Sequence, residues 1–124
     1  MELSTGIDII EIDRIEKIMK EKGQRFLNRI FAPEEIECIK DRKQNNIKSI
    51  AVRFSAKEAC AKALGTGIGD ISWKDIVIFT DNRGKPHITL KRKAKEILGN
   101  RKISVSLTHS GKLAMAMVII YDEC

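Results

Sequence analysis

A chain of 124 residues, 43% of them hydrophobic, is long enough to bury about two-thirds of the surface its unfolded form exposes, so one domain spanning residues 1–124 is expected without staples. No apolar run approaches the roughly eighteen residues of a membrane span, residues 1–11 are too short and too acidic for a secretory leader, and Cys38, Cys60 and Cys124 form no C-x-x-C pair, which leaves a cytoplasmic protein with reduced thiols as the default. The net charge of +6 favours an anionic partner (nucleic acid, a phosphorylated cofactor or an acidic protein) without choosing among them, although four Phe, one Trp and one Tyr, most in apolar runs that read as core, offer few stacking platforms for single-stranded nucleic acid.

Residues 2–10 carry Leu3, Ile7, Ile9 and Ile10 around Gly6 and read as a buried strand with one tight backbone approach. Asp8 must point to the opposite face from Ile7 and Ile9, because strand side chains alternate. Whether that face meets solvent or a site is open at this point. From Asp13 to Ile30 the apolar residues Ile15, Ile18, Met19, Phe26 and Ile30 recur at helical intervals, interrupted near Gly23, with Asp13 available to cap the first turn. Arg14, Lys17, Lys20, Lys22 and Arg25 lie largely off that stripe and give the helix a basic face. Pro33-Glu34-Glu35 opens a short helix whose Ile36 and Ile39 face inward. Residues 41–48 (DRKQNNIK) read as a polar loop.

The organising element is the run RFSAKEACAKALGTG, residues 53–67, a helix that stops at Gly65. Its alanines leave it thin, so that a neighbouring element or a ligand can approach its backbone closely. Arg53 and Lys57 share one side of it, as do Glu58 and Lys62, the latter pair being by itself an ordinary exposed salt bridge worth about 0.3 to 0.5 kcal/mol. Gly65, Gly67 and Gly69 then supply a turn, read either as a helix cap or as exposed N–H groups for a phosphate next to Lys62. Residues 76–80 and 86–90 form a hairpin with Gly84 in its turn, residues 91–98 a basic helix closed by Gly99, and residues around Ile103, Val105 and Leu107 a strand that turns at His109-Ser110-Gly111-Lys112 into a last strand, 113–121. His109 falls at a strand end.

Three stretches together, Gly6 to Asp8 as G-x-D, Phe54 to Lys62 as [WF]-[SA]-x-K-E-A-x-x-K, and SLTHSGKLAMAMVI near the end, match in order and spacing. On these the chain resembles the holo-acyl-carrier-protein synthases, small members of the 4'-phosphopantetheinyl transferase superfamily. The resemblance implies an α+β fold, with an antiparallel-rich sheet of strands from the N-terminus and the C-terminal half packed by the long central helix. It implies transfer of 4'-phosphopantetheine from coenzyme A to a serine of apo acyl carrier protein in fatty acid biosynthesis, by a cytoplasmic homotrimer with active sites at subunit contacts. Asp8 and Glu58 would share a magnesium ion, and Lys62 would stand beside the pyrophosphate. Arg53, Gly65, Lys85, Pro86 and His109 would line the coenzyme A site. Arg14, with Lys17 and Arg25, would meet the acidic carrier protein. Two carboxylates on different elements suit a hard cation that completes its shell with phosphate oxygens, and phosphoryl transfer needs positioning and charge more than a nucleophilic triad. Glu58 and a metal-held water both remain open as the general base. Relatives often carry Thr or Ser where Ala32 stands, a missing cap hydroxyl worth about 1 kcal/mol, and Tyr where Leu113 stands. The rival reading, a basic noncatalytic nucleic-acid-binding domain, lacks any helix-turn-helix, zinc-finger or RNP pattern and would set Asp8 and Glu58 against phosphate.

Overall fold

The computed structural model describes residues 2–40 and 46–122. In chain order they form β1 (Leu3–Glu11), α1 (Ile12–Lys22), α2 (Gln24–Ile30), α3 (Pro33–Lys40), α4 (Asn46–Leu64), β2 (Ile76–Thr80), β3 (Pro86–Leu90), α5 (Arg92–Leu98), β4 (Lys102–Ser110) and β5 (Leu113–Tyr121), with a 3-10 turn at Trp73–Asp75 ahead of β2. The class is α+β. Strands β1, β5 and β4 make an antiparallel sheet in that order, β2 and β3 an antiparallel hairpin beside it.

Helix α4 begins at Asn46 rather than Arg53, since Ile47 packs against the core and draws the turn before the alanine-rich run into the helix. Residues 41–45 of the anticipated loop lie outside the described residues. At its other end the helix stops where expected: Gly65 turns to φ +82° and donates to the Lys62 carbonyl, and the amides of Thr66 and Gly67 both donate to the Ala61 carbonyl. The cap reading of the glycine turn is thus realised at residues 65–67, whose amides are spent on helix carbonyls. The segment 13–30 is two helices broken at Gly23 (φ +49°). Asp13 is no cap: Glu11 holds the N-cap position without a side-chain bond, and Asp13 sits inside the first turn, 3.7 Å from Lys112.

Strand β1 alternates as predicted, but its faces are the reverse of a buried-isoleucine reading. Gly6, Asp8 and Ile10 face α4, while Leu3, Ile7 and Ile9 are exposed on the outer side, Ile7 at 57% and Ile9 at 52%. The reason is Gly6. A Cβ there would lie 1.9 Å from the Ala59 carbonyl oxygen and 2.8 Å from the Ala63 nitrogen, so β1 reaches the backbone of α4 only on the face that has no side chain. Strand β5 obeys the same division, with Ala114, Ala116, Val118 and Ile120 inward and Leu113 and Met117 exposed. Small residues on both partners thus bring helix and sheet together, and the larger apolar ones are left on the bare face of the sheet.

One core cluster fills the space between α4, the inner sheet face, the hairpin and α5. A second lies among α1, α2, α3 and the first half of α4, and includes Ile15, Phe31, Ile39 and Ile50, all fully buried. Phe54 stacks on Trp73 and meets Phe26 at a tilt along its rim. Phe79 departs from the expectation of buried aromatics: at 40% exposure it lies on the outside of the hairpin, stacked on His87, its cross-strand partner.

Candidate active site

Arg53 and Lys62 are nine residues apart on α4, about two and a half turns, which sets them on opposite flanks. The flank that carries Ser55, Glu58 and Lys62 meets β1. Ser55 Oγ donates to the Asp8 carbonyl (2.9 Å) and is within 3.1 Å of Asp8 Oδ2, and Lys62 Nζ donates to the Ile7 carbonyl (3.0 Å) and to Asp8 Oδ1 (3.3 Å). Lys62 therefore reaches across to the strand, in place of a simple exposed bridge to Glu58. Ile7, Asp8, Ile9, Lys62 and Met115 line an open groove of about 470 Å³ along the β1 edge.

Glu58 sits half-buried on this flank. Its proton affinity is raised above the usual carboxylate range by burial first and by the negative charge of Asp8 second, with Lys62 and Arg14 opposing. The two carboxylates named from sequence thus act on each other electrostatically, and no side chain among the described residues hydrogen-bonds Glu58. Such a pair is the donor set of a hard divalent cation that uses one or two protein carboxylates, so these residues fit magnesium; no cluster of three acidic, His or Cys groups stands among the described residues.

The other flank is dry. Arg53 is 4% exposed, donates to the Ile78 carbonyl (2.9 Å), and lies within 3.2 Å of Ser49 Oγ and 3.4 Å of Thr80 Oγ1. One turn on, Lys57 is fully buried against an equally buried Glu35 (2.7 Å), donates to the carbonyls of Trp73 and Ile76, and lies 5.0 Å from the centre of the Phe31 ring. Burial pushes the Lys57 ammonium below its ordinary pKa, against the pull of Glu35. Glu35 also accepts the amides of Ala32 (2.9 Å) and Ile78 (3.1 Å). The carboxylate three residues on thereby takes up the Ala32 amide that a cap hydroxyl would not have reached, and α3 begins without the Thr or Ser.

Sequence reasoning treated Glu35 as a first-turn acid and Lys57 as a flank residue. The available signal was the missing cap: a Glu at the third helical position beside an uncapped start is half of a reciprocal capping pair.

The remaining site residues fall in three places. Lys85 is exposed in the hairpin turn and Pro86 opens β3; the turn is held by Asp81, whose carboxylate accepts the amides of Arg83 and Lys85 and pairs with His87 Nε2 at 2.8 Å. His109 is exposed near the end of β4, which runs through Ser110 so that the turn is only Gly111–Lys112. Leu113 is opposite Ser110 on the outer face, whereas His109 is opposite Ala114 on the helix side, so the Leu113 departure does not touch the histidine's face. Gly65, exposed at the end of α4, offers a ligand a surface without a side chain rather than a free amide. Arg14, Lys17 and Arg25 are all exposed on α1 and α2. Within one chain, then, Asp8, Glu58 and Lys62 converge, while Arg53 and the hairpin stand across α4 from them. His109 is on the far edge strand of the sheet from Asp8.

The profile of the 4'-phosphopantetheinyl transferase superfamily matches residues 4–118. The chain is 44% identical over 124 residues to the holo-[acyl-carrier-protein] synthase of Ruminiclostridium cellulolyticum, covering 97% of this chain and 92% of that one. It is 44% identical over 124 residues to the synthase of Fusobacterium nucleatum, covering 97% and 99%. Among solved structures, the Helicobacter pylori synthase in complex with coenzyme A superposes with a TM-score of 0.83 at 39% identity, over 94% of this chain and 98% of that one. The Bacillus anthracis synthase, in complex with CoA (3',5'-ADP), gives 0.83 at 36% identity, over 97% and 96%. The chain belongs to the holo-[acyl-carrier-protein] synthase family of the 4'-phosphopantetheinyl transferase superfamily. It is an enzyme of that family, not the noncatalytic nucleic-acid-binding domain that charge alone allowed. No helix among the described residues is long and apolar enough to cross a membrane.

Proposed function

We propose that this protein transfers the 4'-phosphopantetheine group of coenzyme A to a serine of apo acyl carrier protein, releasing adenosine 3',5'-bisphosphate, with magnesium and in the cytoplasmic service of fatty acid biosynthesis. The observation that carries the reading is the Asp8–Glu58 pair flanked by Lys62 on one open groove. Asp8 and Glu58 would hold magnesium, which would supply charge neutralisation for the pyrophosphate oxygens. Lys62, 54% exposed and already poised at Asp8, adds a cation that follows the phosphate charge as the bond to the leaving nucleotide lengthens. Ser55 and Lys62 fix Asp8 from two sides. Glu58, half-buried beside Asp8, would hold the metal, and either its carboxylate or a metal-held water would take the serine proton as the serine oxygen bonds to phosphorus.

A homotrimer with shared sites is part of the reading, and two features support it. The bare sheet face presents Leu3, Ile7, Ile9, Leu113 and Met117, each at least 42% exposed, beside the Asp8 groove, which is the composition of a surface that another copy covers. Of the groups assigned to coenzyme A, the hairpin residues Lys85 and Pro86 also stand across α4 from the carboxylates and His109 on the far edge strand, so a complete site needs the hairpin and His109 of a second copy brought to the β1 edge of the first. On the exposed basic face of α1 and α2, Arg14, Lys17 and Arg25 receive the acidic carrier protein.

Mass spectrometry of an apo carrier protein incubated with this protein, coenzyme A and magnesium tests the reaction. A mass gain of one phosphopantetheine is expected, lost by about a hundredfold or more in rate with Asp8→Asn or Glu58→Gln. Arg14→Glu is expected to raise the carrier-protein KM and leave that for coenzyme A unchanged. Wild-type rates in both carboxylate variants at low magnesium would move the site elsewhere.

A further inference from the structure

The Lys57–Glu35 pair has no part in the reaction just described, yet it is fully buried and bonded to three elements outside α4. Lys57 reaches three acceptors: Glu35 on α3, the Trp73 carbonyl in the 3-10 turn and the Ile76 carbonyl at the start of β2. Glu35 in turn holds the Ile78 amide of β2. Both side chains are fully excluded from solvent. The pair ties three elements to one point on the helix, immediately before Glu58.

What makes that point matter is how closely α4 approaches β1 beside Asp8. There the helix presents Ala59 and Ala63 to Gly6, backbone against backbone, while its larger side chains, Ile50 and Leu64 among them, pack in the two core clusters. Core packing and directional bonds together resist rotation of the helix. On the β1 flank the bonds are Ser55 and Lys62 to β1, and Ser4 Oγ to the Ala63 carbonyl; on the opposite flank they are Arg53 and Lys57. A side-chain tip lies some 5–6 Å from a helix axis, so a turn of about 10° moves the Glu58 carboxylate by about 1 Å. A displacement of that size is enough to cost a reaction heavily.

We propose that Lys57 is a positioning residue: clamped by Glu35 and two carbonyls, it sets the rotation of α4 and thereby holds Glu58 opposite Asp8. The proposal rests on the reading of the Asp8–Glu58 groove as the transfer site. Lys57 touches neither substrate nor metal; it acts through Glu58, one peptide away.

Two variants test it. Glu35→Asp keeps both charges and the fold while drawing the carboxylate back by one methylene. Glu35→Gln with Lys57→Met removes both charges together, so that neither is left buried alone. The measurements are the denaturation midpoint, kcat and KM at saturating magnesium, and the affinity for manganese, a spectroscopic stand-in for magnesium, measured by titration without substrate. Each variant is expected to lower kcat about tenfold and to weaken manganese binding severalfold, with the KM for coenzyme A within twofold of wild type. A purely structural pair would shift the midpoint alone. Wild-type kcat and manganese affinity in folded Glu35→Asp would overturn the proposal, and so would an effect confined to the KM for coenzyme A, which would place the consequence at the hairpin. If wild type itself neither transfers phosphopantetheine nor binds manganese, it is the reading of the groove that fails, and the variants distinguish that case because they are scored against wild type.

Discussion

Each flank of α4 carries a lysine facing a carboxylate from another element, and the two pairs have opposite consequences. Lys62 and Asp8 are 3.3 Å apart with the lysine 54% exposed, and the lysine is open to the groove. Lys57 and Glu35 are 2.7 Å apart with neither exposed. An exposed ion pair contributes little to stability and is free to exchange partners, so it suits a phosphate that comes and goes. A buried pair costs desolvation on both sides and is kept intact by its further hydrogen bonds; breaking it leaves a charge with no water to turn to. The same two residue types therefore make a site on one side of the helix and a joint on the other, and solvent access is what separates them.

The sharpest way to break this comparison is to remove each lysine in turn. Lys57→Met is expected to destabilise the fold by about 3–5 kcal/mol through the orphaned Glu35. Lys62→Met is expected to change stability by less than about 1 kcal/mol and to slow transfer by about a hundredfold. Urea denaturation and steady-state rates on both variants check the pair; equal stability losses would erase the distinction between the flanks.

Gly6→Ala sharpens it from the strand side. The added methyl meets the Ala59 carbonyl at 1.9 Å, a backbone atom that cannot rotate away, so β1 must lift from α4. A loss of about 1–3 kcal/mol is expected, with transfer activity falling as Asp8 moves with the strand. A variant as stable as wild type in chemical denaturation would mean that the helix and strand are not held in contact.

The smallest effect on stability belongs to Glu58. Its folded-state pKa is raised above the unfolded value, so ionising it is less favourable in the fold than in the unfolded chain. The unfavourable contribution is present above the raised pKa, fades as pH falls through it, and is gone below the ordinary value of 4.5. Glu58→Gln is accordingly expected to be slightly more stable than wild type at neutral pH without metal, and equal to it below pH 4.5. Denaturation midpoints of the two proteins across that range, in chelator, measure the difference; a less stable Glu58→Gln at neutral pH would reverse the sign.

Much of the site was legible because the relevant spacings are local. Glu58 and Lys62 are one turn apart, Gly6 and Asp8 one strand repeat apart, and both facts follow from helix and strand geometry alone. The hairpin at 76–90, the stop of α4 at Gly65 and the break at Gly23 were legible for the same reason, since turn residues act on their immediate neighbours. Burial was not. Ile7 and Ile9 look like core and lie outside, because the sheet packs on the face where Gly6 permits contact. The spacing of Lys57 and Arg53 gives their shared side of the helix but not its burial, and both lie inside because α3 and the hairpin close over them. Glu35 is 22 residues from Lys57 in the chain, and no periodicity spans that distance.

The sequence by itself determined the elements, their order and the family, which are written in short-range pattern and motif, while the meeting of a strand carboxylate with a helix carboxylate was implied by the family resemblance and not by any spacing. Only the tertiary structure decided which flank of α4 is wet and which is dry, because burial is set by the elements that arrive from elsewhere in the chain, and a charge has its meaning fixed by whether water can still reach it.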